Sequence, residues 1–86
     1  MADYEITFAR SARKELQALP STVAQRILTK VESLAEEPRP AGCRKLRGPA
    51  NLWRLRVGEY RVVYDIDDDN RIIDIVIVRH RSDAYR

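Results

Sequence analysis

The chain has 86 residues and a mass of 10.0 kDa; 44% of the residues are hydrophobic and 34% charged, which fits one small globular domain over 1–86 with a densely charged surface. A single cysteine, Cys43, excludes an intrachain disulfide and a cysteine-rich zinc site, and a single histidine, His80, excludes a two-histidine acid/base pair. The longest apolar run, Ile75 to Val78, is far too short for a membrane span or a signal-peptide core, so the expectation is a soluble, cytoplasmic protein with no membrane partner, no metal and no cofactor.

The net charge of +3 is unevenly placed. Residues 1–40 carry six basic and six acidic groups and are neutral. Between Arg44 and Arg61 six basic residues (Arg44, Lys45, Arg47, Arg54, Arg56 and Arg61) face Glu59 alone, and Arg79, Arg81 and Arg86 follow near the end. Acid gathers at Asp65, Asp67, Asp68 and Asp69, expected in a loop. A basic stretch flanked by acid points to a localised polyanion site, and the planar fork of arginine suits bidentate phosphate contact.

In chain order, Tyr4 to Phe8 alternates apolar and polar residues, the period of a half-buried strand. Ala12, Leu16 and Leu19 recur at helical intervals over 9–19 before Pro20 stops the run. A second helix starts at Ser21 or Thr22, the latter with Gln25 three residues on as a capping box, and carries the stripe Val23, Ile27, Val31, Leu34 until Pro38. The two form a helical hairpin with a structural role. Pro38, Pro40, Gly42, Gly48 and Pro49 then break the chain, placing Arg44, Lys45 and Arg47 on a loop.

Leu52 to Val57 and Tyr60 to Ile66 alternate around Gly58-Glu59, a hairpin with a type II′ turn. That turn sets Val57 against Tyr60, Leu55 against Val62 and Trp53 against Tyr64 on a core face, and Arg56 against Arg61 on the other, beside Arg54. Like charges directly opposite on a sheet are destabilising, so this face reads as a ligand site. The last strand, Ile72 to Val78, follows a turn over 67–70 and is apolar on both faces except at Asp74, as a central strand would be. Simple parity sends Ile73, Ile75 and Ile77 to the core and Arg79 with them; Arg79 joins the other arginines only if the strand ends or bulges first. The expected fold is α+β: an N-terminal strand, a helical hairpin, and a three-stranded antiparallel meander forming one twisted sheet, helices on one face and a basic concavity on the other.

Lys45-Leu46-Arg47-Gly48, the block Trp53 to Tyr64 with its Gly58-x-Tyr60-Arg61-x-x-Tyr64, and the ending Arg79 to Arg86 resemble the RelE/ParE toxin superfamily of type II toxin–antitoxin pairs, and the RelE-like mRNA interferase branch in particular. The resemblance spans essentially the whole chain. It implies a ribosome-dependent, metal-independent endoribonuclease that cuts the A-site codon by attack of a ribose 2′-hydroxyl on the adjacent phosphate and so inhibits translation. Its partners would be a cognate antitoxin, in a hetero-oligomeric complex, and the 70S ribosome with mRNA. The alternative it carries is a ParE-like inhibitor of DNA gyrase without nuclease activity.

Under that resemblance Arg61 clamps the transition state, Arg79 stands at the family's arginine at the end of the last strand, and Tyr85 at its C-terminal tyrosine. Arg54 and Arg56 stand where some members have lysines; arginine keeps its charge, so they stabilise charge and leave Tyr85 as the leading base, with His80 as its rival. Arg44, Lys45, Arg47, Arg81, Arg10, Arg13 and Lys14 are then the expected RNA and ribosome contacts. Cys43 is assigned nothing.

Overall fold

The computed structural model describes residues 3–48 and 51–82. The chain runs β1 (Glu5–Phe8), α1 (Arg10–Gln17), α2 (Ser21–Ser33), β2 (Arg44–Lys45), β3 (Leu52–Val57), β4 (Tyr60–Asp67) and β5 (Ile72–His80). The strands form one sheet in the order β1-β5-β4-β3-β2, with β1 parallel to β5 and every other pair antiparallel. This is the expected α+β fold with one addition. Arg44 and Lys45, expected on a loop, pair with Arg54 and Trp53 as a short edge strand. The left-handed Gly42 and Gly48 bound a stretch just long enough for that pairing, and the charges on it discourage further strands from adding at the edge.

The helices cover one face. Ala12 and Leu16 of α1 and Ile27 and Val31 of α2, with Leu34, pack on Leu55, Val57, Val62, Tyr64, Ile66, Ile73, Ile75 and Val78. Each fully buried aliphatic side chain among them contributes about 1.5–3 kcal/mol relative to exposure. The first helix ends at Gln17, earlier than its apolar spacing suggests, because Pro20 pushes Leu19 out of helical geometry; the last turn tightens, Leu19 N–H donating to Leu16 O at 3.2 Å. Pro20 itself takes the N-cap position of α2, so neither Ser21 nor Thr22 caps the helix.

Beyond α2 the chain is tied to the sheet by side chains. The Tyr64 hydroxyl donates to Pro38 O at 2.9 Å, and burial, with the Cys43 thiol beside it, pushes that phenol well above its ordinary value. Asp68 accepts from the Tyr4 hydroxyl at 2.6 Å and pairs with Arg39 at 2.8 Å, while the Arg39 guanidinium lies 4.9 Å from the centre of the Trp53 ring. Asp68 sits in the turn of residues 68–71, closed by Arg71 in the left-handed region at φ 57°. Asp65 and Asp67, expected in this loop, belong to β4. Among the described residues no helix is long and apolar enough to cross a membrane.

The Arg39 fork, and after it the Tyr4 hydroxyl, hold the Asp68 carboxyl below its usual range. A carboxyl depressed on folding contributes stability above its unfolded pKa of about 3.9, and that contribution is lost as pH falls through the lower folded value. Urea midpoints followed from pH 7 down to pH 3 should therefore fall more for the native chain than for Asp68→Asn, which lacks the titrating group; equal acid losses would remove this tie from the account.

Candidate functional site

The face turned away from the helices is organised by register. Gly58, at φ +59°, makes the turn that sets Val57 against Tyr60, and hence Arg56 against Arg61 and Arg54 against Val63. Arg61 in turn opposes Arg79 on β5. Parity alone would have sent Arg79 to the core. It does not, because Tyr64 pairs with Ile75 but Val63 pairs with Ile77, leaving Val76 as the extra residue of a β-bulge. The bulge reverses the alternation: Val78, 2% exposed, takes the core position, while Ile77, expected in the core, moves to the arginine face opposite Val63.

Three arginines thus cross three neighbouring strands in one row, Arg56, Arg61 and Arg79, with Arg54 and its partner Arg44 one step along the same face. Arg61, in the middle strand, is buried to 9% exposure. The far end of this face is acidic, where Asp65 pairs with Asp74, which accepts from Thr7 Oγ1 at 2.7 Å. The outer face is therefore polarised along the strands, basic toward the Gly58 turn and acidic toward the other end. A polyanion is drawn to one end and repelled from the other.

Beside the row a concavity of about 620 Å³ opens, lined by Lys30, Arg44, Arg54, Arg56 and Arg61 around Ala41, Gly42 and Leu55. Lys30 was not singled out in the sequence. It lies four residues after Arg26 on the flank of the α2 apolar stripe, and Arg26 reaches the hairpin turn, its Nη1 lying 3.7 Å from the point a Cβ on Gly58 would occupy. A cation pair at i, i+4 bordering an apolar stripe is the signal that could have marked it.

The remaining candidates are placed elsewhere. Arg10, Arg13 and Lys14 are on exposed positions of α1, in the helical layer and apart from the arginine row. Lys45 shares a face with Trp53, opposite to Arg44, and Arg47 is exposed just beyond β2. Arg81, exposed beyond β5, pairs with Glu59 at 3.0 Å. Arg79 Nε donates to Glu15 Oε2 at 2.9 Å. His80 opposes Tyr60 on the helix side of the sheet, its ring edge-on to Tyr60 at 5.3 Å and its Nδ1 2.9 Å from Ser82 Oγ. That face is not the arginine face. Tyr85, and Arg86 after it, lie outside the described residues. Among the described residues no cluster of His, Cys, Asp and Glu could hold a metal ion.

Chemically, the row offers fixed positive charge and forked N–H donors on a sheet scaffold, the equipment for holding a phosphodiester and stabilising charge that builds on it. A family model described as the ParE toxin of type II toxin–antitoxin systems matches residues 6–85. The chain is 33% identical over 84 residues to the toxin RelG of Mycobacterium tuberculosis, covering 96% of this chain and 97% of that protein. It is 34% identical over 86 residues to the mRNA interferase toxin RelE of Escherichia coli K12, covering 95% and 90%. Among solved structures, the archaeal RelE–RelB complex of Pyrococcus horikoshii OT3 is similar with a TM-score of 0.84 at 31% identity, covering 96% of this chain and 99% of that one. The isolated Escherichia coli RelE toxin is similar with a TM-score of 0.79 at 30% identity, covering 95% and 90%.

The row has a stability cost that can be measured. Arg56 is exposed and directly opposite Arg61, and replacing a like charge by an opposite one across a strand pair gains roughly 0.2–1 kcal/mol. Arg56→Glu should therefore raise the urea midpoint, with the gain shrinking in high salt; a lower midpoint would mean that the two guanidinium groups do not repel across the strands.

Proposed function

The chain belongs to the RelE/ParE toxin superfamily of type II toxin–antitoxin systems, and we propose that within it this protein is an mRNA interferase that cuts messages in the ribosomal A site. The observation that carries the reading is the row Arg56, Arg61, Arg79 running into the concavity of Lys30, Arg44 and Arg54. The name of the Escherichia coli relative, an mRNA interferase toxin, supports it.

In this reading the scissile phosphate lies over the row. The ribose 2′-hydroxyl attacks the adjacent phosphorus, the 5′-oxygen leaves, and the products are a 2′,3′-cyclic phosphate and a 5′-hydroxyl. The nucleophile comes from the substrate, so the protein supplies charge stabilisation and proton transfer, which are within the reach of side chains. Arg61, held rigid by its burial, clamps the phosphorane-like transition state; Arg79, Arg54 and Arg56 spread the developing charge. Tyr85, as the phenolate, takes the 2′-proton, and the departing 5′-oxygen takes up a proton from water. His80 is not placed for that role, since it faces the helix side of the sheet and is engaged with Tyr60 and Ser82.

Positioned acid–base catalysis alone contributes only about 10²–10⁴-fold, so in-line geometry must come from outside, and the ribosome supplies it. Arg44, Lys45, Arg47 and Arg81, with Arg10, Arg13 and Lys14 on the helical layer, are the ribosomal RNA contacts. In the cytoplasm a cognate antitoxin binds the toxin in a hetero-oligomeric complex, its acidic groups meeting the arginines.

Purified toxin added to ribosomes programmed with a defined mRNA should give A-site cuts with 5′-hydroxyl ends. Arg61→Ala should abolish them while leaving the folded signal in circular dichroism; cutting retained by this variant would refute the role of Arg61. Blocked DNA supercoiling by gyrase with no RNA product would instead favour the ParE-like alternative, which the description of the matching family keeps in view. For a single-stranded oligonucleotide carrying a 2′-deoxy scissile residue, Lys30→Ala should lower the slope of log affinity against log salt by about 0.7, the value of one phosphate contact. An unchanged slope would remove Lys30 from the RNA path.

A further inference from the structure

Glu15 lies on α1 between the buried Ala12 and Leu16, at the point where the helix passes the outer edge of β5. β1 pairs with β5 only as far as Ile75, and among the described residues no strand lies beside the β5 edge beyond it. Glu15 fills that gap. Its Oε1 accepts the Val78 backbone N–H at 3.1 Å, and its Oε2 accepts from Arg79 Nε at 2.9 Å. One carboxylate therefore satisfies an edge donor of the strand and grips the guanidinium of the next residue.

Arg79 needs such a grip. Its Cα partner is Arg61, so it sits at the end of a row of like charges, and with 46% of its side chain exposed it has little packing to hold it. A long flexible side chain under repulsion samples many rotamers. Glu15 counters the repulsion with an opposite charge and engages Nε, the inner nitrogen. The terminal Nη groups, which carry four of the five N–H donors of an arginine, are not used in that contact. An arginine held by Nε has its plane set and its outer edge directed as a unit, as bidentate contact with a phosphate requires.

We propose that Glu15 is the positioning residue of Arg79, fixing its guanidinium at the end of the row so that the Nη edge meets the RNA phosphate in one orientation. This inference rests on the reading of Arg79 as a phosphate contact. Glu15 itself touches no substrate.

The test uses Glu15→Gln in the full chain. The amide oxygen of Gln can still accept from Val78 N–H, while the partner of Arg79 loses its charge. In ¹⁵N spectra the Arg79 Nε–Hε signal, assigned by its disappearance in Arg79→Lys, should be resolved and slow to exchange in the native protein and should exchange rapidly in Glu15→Gln, with the Val78 amide still protected. In single-turnover cleavage on programmed ribosomes, Glu15→Gln should lower the rate constant roughly ten- to a hundred-fold, the penalty of a misplaced catalytic group, with ribosome affinity and melting temperature nearly unchanged. The double variant with Arg79→Ala should be no slower than Arg79→Ala alone. Additive losses in the double variant would mean that Glu15 only ties α1 to β5, and the inference would fall. Native-rate cutting by Glu15→Gln beside an impaired Arg79→Ala would also overturn it, leaving the proposed function intact. If the native protein does not cut at all, that function fails, and the Nε–Hε signal decides the contact by itself: loss in Glu15→Gln upholds it and persistence overturns it.

Discussion

One extra residue in β5 governs the outer face of this sheet. Where Val76 bulges, the pairing of β5 with β4 changes parity, and everything downstream changes sides. Upstream, Ile73 and Ile75 are sealed against the helices; downstream, Val78 takes over that duty and Arg79 is delivered beside Arg61. A strand without the bulge could not serve both ends. It would have to bury Arg79 in an apolar core, or give up the buried isoleucines that hold β5 to α1. The bulge lets one strand be core at its start and part of a charged site at its end.

The site it completes is built against the preferences of an isolated sheet. Cross-strand like charges are unfavourable, and Arg61 adds desolvation of a guanidinium to that repulsion. Two carboxylates that offset charge lie at the margin of the row: Glu15 at Arg79 and Glu59 at Arg81. Among the described residues lining the concavity next to Arg54 and Arg56 there is no carboxylate. A phosphate entering there meets positive charge already partly desolvated and oriented, so little reorganisation remains to be done when it binds. Under the proposed function, stability given up in the free protein becomes affinity for the RNA phosphate.

The hairpin register was legible because a two-residue turn with glycine first admits one pairing, and apolar alternation in both strands agrees with it. The α2 stripe was legible for the same reason, a period matched to a buried face. The side of Arg79 was not, since a bulge is a property of the pairing between β4 and β5 and leaves no mark in the apolar run from Ile75 to Val78. The strand at Arg44 and Lys45 escaped notice because it is too short to show alternation and exists only through its bonds to β3. Lys30 was hidden because a lysine on a helix looks like any solvated charge until the sheet beside it is in place. The first helix ends two residues before Leu19 because Pro20 acts on its neighbours through backbone sterics rather than through hydrophobic pattern.

The pairing of the first strand with the last also bears on the order of events during synthesis. Thr7 and Asp74 are 67 positions apart, yet they are neighbours in the sheet, and β5 is the strand that joins β1 to the rest. Contacts so distant in sequence form late, since the loop they close is long. A growing chain can build its helical hairpin and then the β3–β4 hairpin with Arg56 and Arg61, but it has no third arginine and no seat for β1 until β5 emerges. Between residues 61 and 79 the growing chain carries two arginines of the row, Arg56 and Arg61, and the third joins them only once β5 has paired with β4.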